Sequence, residues 1–275
     1  MAITPTNWLG KQSPAQSSND CAESDHQGVH VKFGRIGIIL IGIAGIISMP
    51  SCTSISPPAQ PVVASTVKAG SAPDLDEIYA NLEKAGGKAF KLDPAASSVR
   101  IYAFRAGPAA RLGHNHVLSA PQFKGYYHLP AAGPSSGRFD LEFRLDQLEI
   151  DNESYRSKLG IAFASKLSQD AIDGTRDHML GEDNLQADRF PFVRVHSVEI
   201  SGEATRFVAR VQIEMHGQTR EMWIPLSVEG LPDHLEVAGS FVMRQTDFGA
   251  QPYSVMGGLI AVRDEVVIEF KLTGN

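Results

Sequence analysis

From residue 92 onward, apolar side chains recur at every second position rather than every third or fourth. The clearest run is residues 138–150. There Phe139, Leu141, Phe143 and Leu145 alternate with Arg138, Asp140, Glu142, Arg144 and Asp146. The same rhythm places Phe207, Ala209, Val211, Ile213 and Met215 on one face, and then Met222, Ile224, Leu226 and Val228. Val237, Phe241 and Met243 follow, and Val266, Ile268, Phe270 and Leu272 close the series. A period of two is that of a strand with one greasy and one wet face. Gly- and Pro-rich stretches separate the runs: PAAGPSSG (130–137), ISGEAT (200–205), EGLPDH (229–234) and GLIAVRDE (258–265). Strands of this kind pair antiparallel, with one side on a core and the other in water. The pattern predicts an all-β domain over residues 92–275, with about eight strands closing into a barrel that leaves no exposed edge. A sandwich filled by its own side chains is the competing architecture.

Two stretches break the rhythm. Residues 165–191 have helical or irregular character up to Pro191, which predicts a helical insertion near one end of the barrel. Ahead of the strands, Leu75, Ile78, Tyr79 and Leu82 share one helical face, with Asp74 or Asp76 as cap and Gly86-Gly87 as stop. This short amphipathic helix belongs with a Ser/Pro/Ala-rich tether, so that residues 53–91 link the barrel to what precedes it.

What precedes it reads as an address. Residues 1–31 are mostly polar and without period, a leader that is disordered or untranslated, with Val29 and Val31 as alternative starts. In 32–52, Lys32 and Arg35 stand before an apolar run over residues 36–49, and Met49-Pro50-Ser51-Cys52 follows. A basic flank, a short apolar run and a small residue make a signal segment. The run is shorter than the ~20 residues of a comfortable membrane span. Cys52 fits the acylated cysteine of a bacterial lipoprotein. A plain signal cut near Val62-Val63-Ala64 and a short uncleaved anchor are the alternatives. Each puts the folded part outside the cytoplasm, in the periplasm or cell envelope.

Composition narrows the chemistry. Apolar residues are 43 % and charged residues 20 % of the chain, ordinary for a globular core, and the net charge is −6. Nothing resembles the clustered basic surface that nucleic acid requires. The two cysteines, Cys21 and Cys52, both precede the folded part, which excludes a disulfide scaffold, thiolate metal sites and a cysteine nucleophile there. No G-x-S-x-G or H-E-x-x-H occurs. Asp247-Phe248-Gly249 spells a kinase triplet without the loops that give it meaning. The residues to place are His114 and His116, which share a face if that segment is extended. Two ligands do not make a zinc site. His178, His196 and His216 are the candidates for a third, with Asp177 to orient one of them. The other reading puts the pair at a barrel mouth with Arg111 and Arg176, where guanidinium suits a phosphate or carbonyl headgroup.

Five segments in order carry a resemblance: KLDPAASSV (91–99), RDHMLGEDNLQADRFPFVRVHS (176–197), VQIEMHGQTREMWIPLSVE (211–229), GSFVMRQTDFGA (239–250) and VRDEVVIEFKL (262–272). Together they resemble the YceI-like family of periplasmic, lipocalin-like barrels that bind polyisoprenoid lipids. The chain departs from the family pattern at Asn184-Leu185, where Phe-Phe is common, at Arg220-Glu221, where Lys-Pro is usual, and at Arg111, where a histidine often stands. The resemblance implies a non-catalytic protein holding an isoprenoid-type lipid, of the quinone or polyprenol class, with no other cofactor. It allows a homodimer, and a lipid anchor would supply a membrane contact. On this reading Phe139, Leu141, Phe143, Leu145, Val211, Ile213, Ile224, Phe241 and Phe270 line the cavity, and Arg111, His114 and His116 meet the headgroup. A metal-binding protein or metal-dependent enzyme using His114 and His116 is the alternative. A barrel that recognises another envelope protein is a third.

Overall fold

The computed structural model describes residues 74–275. The leader, the signal segment with Cys52 and the tether up to residue 73 lie outside the described residues. The first element is the amphipathic helix α1 (Leu75–Ala85), capped by the Asp74 carboxylate on the Asp76 amide and ended at Gly86, whose φ of 123° suits glycine. Twelve strands follow: β1 (Lys88–Lys91), β2 (Ser98–Ala106), β3 (His116–Ser119), β4 (Lys124–Leu129), β5 (Arg138–Arg144), β6 (Glu149–Ile150), β7 (Phe192–Glu203), β8 (Arg206–Met215), β9 (Gln218–Glu229), β10 (Leu235–Arg244), β11 (Ser254–Val255) and β12 (Ile260–Gly274). Between β6 and β7 lie the single-turn helix α2 (Glu153–Arg156) and the longer α3 (Gln169–Leu180).

All pairings are antiparallel, in the order β1-β4-β5-β7-β8-β9-β10-β12-β2-β3-β6. The path closes on itself. Leu92, just after β1, bridges Gly274 of β12, and the Lys91 and Asn275 amides donate to each other's carbonyls at 3.1 and 3.2 Å. The ring therefore has eight members. Three of them are bent strands whose halves pair differently: β1 and β2, β3 and β4, β5 and β6. The short turns Pro94–Ala96 and Leu145–Gln147 make two of the bends. The closed antiparallel barrel predicted from the alternation, lipocalin-like as the resemblance implies, is the fold observed, and its first strand begins at Lys88, slightly ahead of the expected boundary at 92.

One side of the ring is incomplete. β9 and β10 pair only over Leu226–Glu229 and Glu236–Gly239, although both strands continue toward the helical end. Pairing stops beside Pro225. Its carbonyl lies 2.8 Å from where a Cβ on Gly239 would stand, so the amide that proline lacks is missing on the β10 edge. The same virtual Cβ would meet the Phe270 ring at 2.5 Å, which leaves glycine as the residue that fits there.

Most of the predicted inward residues belong to one core, together with Phe90, Leu92, Tyr127 and Leu235, while Val266 and Ile268 are buried outside that cluster. The outward faces are not all wet. Tyr79 of α1 stacks on Tyr126 of β4 with ring centroids 4.9 Å apart, and Leu75 buries beside it. Asp140, expected in solvent, is 7 % exposed under this helix. There it accepts from Tyr79 Oη (2.8 Å) and Arg138 Nε (2.9 Å) and pairs with His196 Nδ1 (2.7 Å). A second outer cluster packs Tyr102, Val117 and Phe163 under the segment after α2.

Candidate functional site: an apolar cavity and its mouth

The barrel is hollow. Its cavity measures about 540 Å³, within the span usual for small-molecule sites. The alternation builds the wall: Phe139, Leu141, Phe143, Leu145, Ile213, Ile224, Phe241 and Phe270 all line it. Val211 does not. It is fully buried in the same core without lining the cavity. Further lining comes from positions the alternation left aside, including Val99, Ile101 and Ala103 on β2 and Val193 and Val195 on β7. Ladder hydrogen bonds hold the wall open, so the void cannot collapse without breaking the sheet.

The exposed members of the lining are Ala171 and His178 on α3 and Tyr253 facing them, and they mark the mouth. The His178 and Tyr253 rings meet across it at 4.8 Å, and Asn184 Nδ2 donates to the Gln251 carbonyl at 2.8 Å beside them. Next to the mouth is a smaller space of about 150 Å³. It shares His116, Ala171, Thr175, Tyr253 and Val262 with the main cavity and adds Arg105 and His114. An apolar chamber thus shares a wall with a smaller vestibule whose polar groups are Arg105, His114, His116, Thr175 and Tyr253.

Buried charge organises that vestibule. Asp151 pairs with His116 Nδ1 at 2.6 Å, accepts from the Val117 amide at 3.0 Å and is held by Arg156 Nη1. Arg156 is itself buried and also donates to the Asn115 carbonyl (2.7 Å) and to Ser165 Oγ (3.0 Å). Burial pushes the Asp151 carboxyl up, but the bond from His116, the Val117 amide and the Arg156 charge outweigh it and leave it below the usual carboxylate range. An ionised carboxylate only accepts, so His116 Nδ1 carries its hydrogen and donates it to Asp151. Ser165 Oγ accepts from Arg156 and also hydrogen-bonds with His114 Nδ1, 3.2 Å away. Burial first, and then the His116 and Arg156 charges, hold the His114 imidazole below its usual range.

The other predicted polar residues lie elsewhere. Arg111 is exposed on the turn Ala110–Leu112 and lines neither space, whereas Arg105, which sequence reasoning passed over, lines the vestibule. Arg176 ties α3 to the Asp146 and Leu148 carbonyls. His196 pairs with Asp140 on the outer face, and His216 Nδ1 bonds the Phe248 carbonyl at 2.9 Å. The candidate third ligands therefore do not converge on His114 and His116. Among the described residues no three His, Cys, Asp or Glu side chains stand together as a metal site. Asp151 and Arg156 were also missed. Their local signal is slight, a turn at Asp151 (φ 54°) and the Asn152 cap on α2.

An antiparallel barrel enclosing an apolar cavity with a polar lip defines the class of lipocalin-like barrels. The chain belongs to the YceI-like domain family, whose pattern it matches over residues 90–274. Among solved structures it is similar to Burkholderia cenocepacia BcnA, at 14 % identity and a TM-score of 0.50, covering 67 % of this chain and 99 % of that one. A Campylobacter jejuni YceI protein is similar at 7 % identity and a TM-score of 0.39, over 57 % of this chain and 84 % of that one. No curated protein matches the chain by sequence.

Proposed function

We propose that this protein holds an isoprenoid-type lipid, of the quinone or polyprenol class, and carries or exchanges it within the cell envelope without catalysing a reaction. The observation that carries the proposal is the junction of the two spaces: an apolar chamber for a tail, sharing a wall with a vestibule that offers Arg105, His114 and His116 to a headgroup. Burying each methylene gains about 0.8 kcal/mol relative to water. A bilayer offers the tail the same gain, so transfer between bilayer and barrel is close to balanced and suits exchange rather than storage. Export through the segment 32–52 and a lipid anchor at Cys52 complete the proposal, since a tethered barrel stays at high effective concentration beside its source.

Native mass spectrometry of protein purified from its own membranes tests this. The expected result is an added mass matching one quinone or polyprenol. A ligand-free spectrum, together with no uptake of either lipid from detergent solution, would overturn it.

A further inference from the structure

Three loops meet at the mouth. The first, residues 105–116, is tied to the third by the Ala109 amide, which donates to the Leu259 carbonyl at 2.8 Å. It is tied to the second, residues 157–168, by Asn115 Nδ2 on the Ala162 carbonyl at 3.0 Å. The third, residues 251–263, carries the mouth residue Tyr253. Most of the large apolar side chains that the described residues expose are on these loops: Leu112 (65 %), Ile161 (95 %), Tyr253, Met256 (71 %) and Leu259. Such a cluster marks an interaction surface.

Charge says what the surface meets. The three loops contain Arg105, Arg111, Lys158, Lys166 and Arg263 and not one Asp or Glu, in a chain whose net charge is −6. All five basic residues are exposed, and among the described residues none is in an ion pair. Across the mouth, α3 presents the opposite sign with Asp170, Asp173 and Asp177. Greasy tips set among unpaired cations suit an anionic lipid surface.

We propose that these loops dock the mouth of the barrel onto an anionic phospholipid bilayer, tilted so that α3 faces away from it. Cargo then passes between bilayer and cavity without crossing water. The purpose rests on the lipid-carrier reading; the docking itself does not.

The test uses the full chain carrying W8F, which leaves Trp223 as the one native tryptophan, on the barrel wall under Arg210. Probes are added one at a time as I161W and L112W. Vesicles contain brominated phosphatidylcholine, alone or mixed with phosphatidylglycerol. Both probes should be quenched on the anionic vesicles well beyond the Trp223 background. The ratio of docked to undocked protein should fall about fivefold for each of R111A and K166A. No added quenching, although the chain sediments with the vesicles through its N-terminal segment, would overturn the proposal. So would equal quenching on uncharged vesicles, or probes shielded only when protein concentration drives self-association. No cargo is needed, so a docking failure leaves uptake from detergent intact, and an uptake failure leaves docking intact.

Discussion

His114 and His116 share a vestibule yet have different roles, because their partners differ. His116 donates to the ionised Asp151 at 2.6 Å, whereas His114 Nδ1 hydrogen-bonds with the Ser165 hydroxyl at 3.2 Å. The His114 imidazole is held below its usual range by burial, so it is neutral at neutral pH and gains its charge only in acid. Uptake of a polyprenyl phosphate should therefore tighten as pH falls through the lowered value, while uptake of the uncharged polyprenol should not. His114→Gln should reduce that difference in a paired titration, leaving what the phosphate's own second ionisation near pH ~6 supplies. Asp151 is the structural keystone of the same cluster. With the Asp151 side chain fully buried and Arg156 nearly so, Asp151→Ala strands a buried guanidinium. Chemical denaturation should show a loss of about 3–5 kcal/mol.

Among the elements, α1 depends on one buried polar contact and one stacked ring. Tyr79 reaches through the helix–sheet interface to Asp140, and burial raises its hydroxyl so that it stays a donor. Tyr79→Phe keeps the stacking on Tyr126 and removes a hydrogen bond to a charged group. Denaturant unfolding should register a loss of about 1.5–3 kcal/mol. Burial pushes the Asp140 carboxyl up, but bonds from His196, Arg138 and Tyr79 leave it lowered. The sign follows: its contribution is complete above the ordinary carboxylate range, near pH ~3.9, and is lost as pH falls through the lower folded value. Hydrogen exchange in acid should show α1 releasing before the barrel ladders open. The helix itself was legible in the chain, from the Asp74 cap, the spacing of Leu75, Ile78, Tyr79 and Leu82, and the Gly86 stop. What it covers was not, because an alternating strand shows which residues face outward but not which of them another element will roof.

At the scale of the whole molecule, the proposed function depends on the space the barrel leaves empty. Ala103 stands on the cavity wall near the mouth, and Ala103→Trp would fill that space with an indole. Displacing even two methylenes of tail forfeits ~1.6 kcal/mol, more than tenfold in affinity. Uptake should fall at least that far, with unfolding stability within about 3 kcal/mol of the parent because the side chain enters a void. Strand number, antiparallel pairing and the inward set at Phe139, Phe143, Ile213 and Phe270 could be read from the chain, since a period of two is a local property of the backbone. The five-segment resemblance pointed to the family for the same reason: its motifs are contiguous. Four features were settled only by the fold: the hollow, the exclusion of Val211 from its wall, the replacement of Arg111 by Arg105, and the meeting of His116, Asp151 and Arg156. Each depends on how far apart the closed ring holds its opposite walls and on which loops its bent strands bring to one end. Those distances arise from pairings between residues remote in sequence, and no local pattern encodes them.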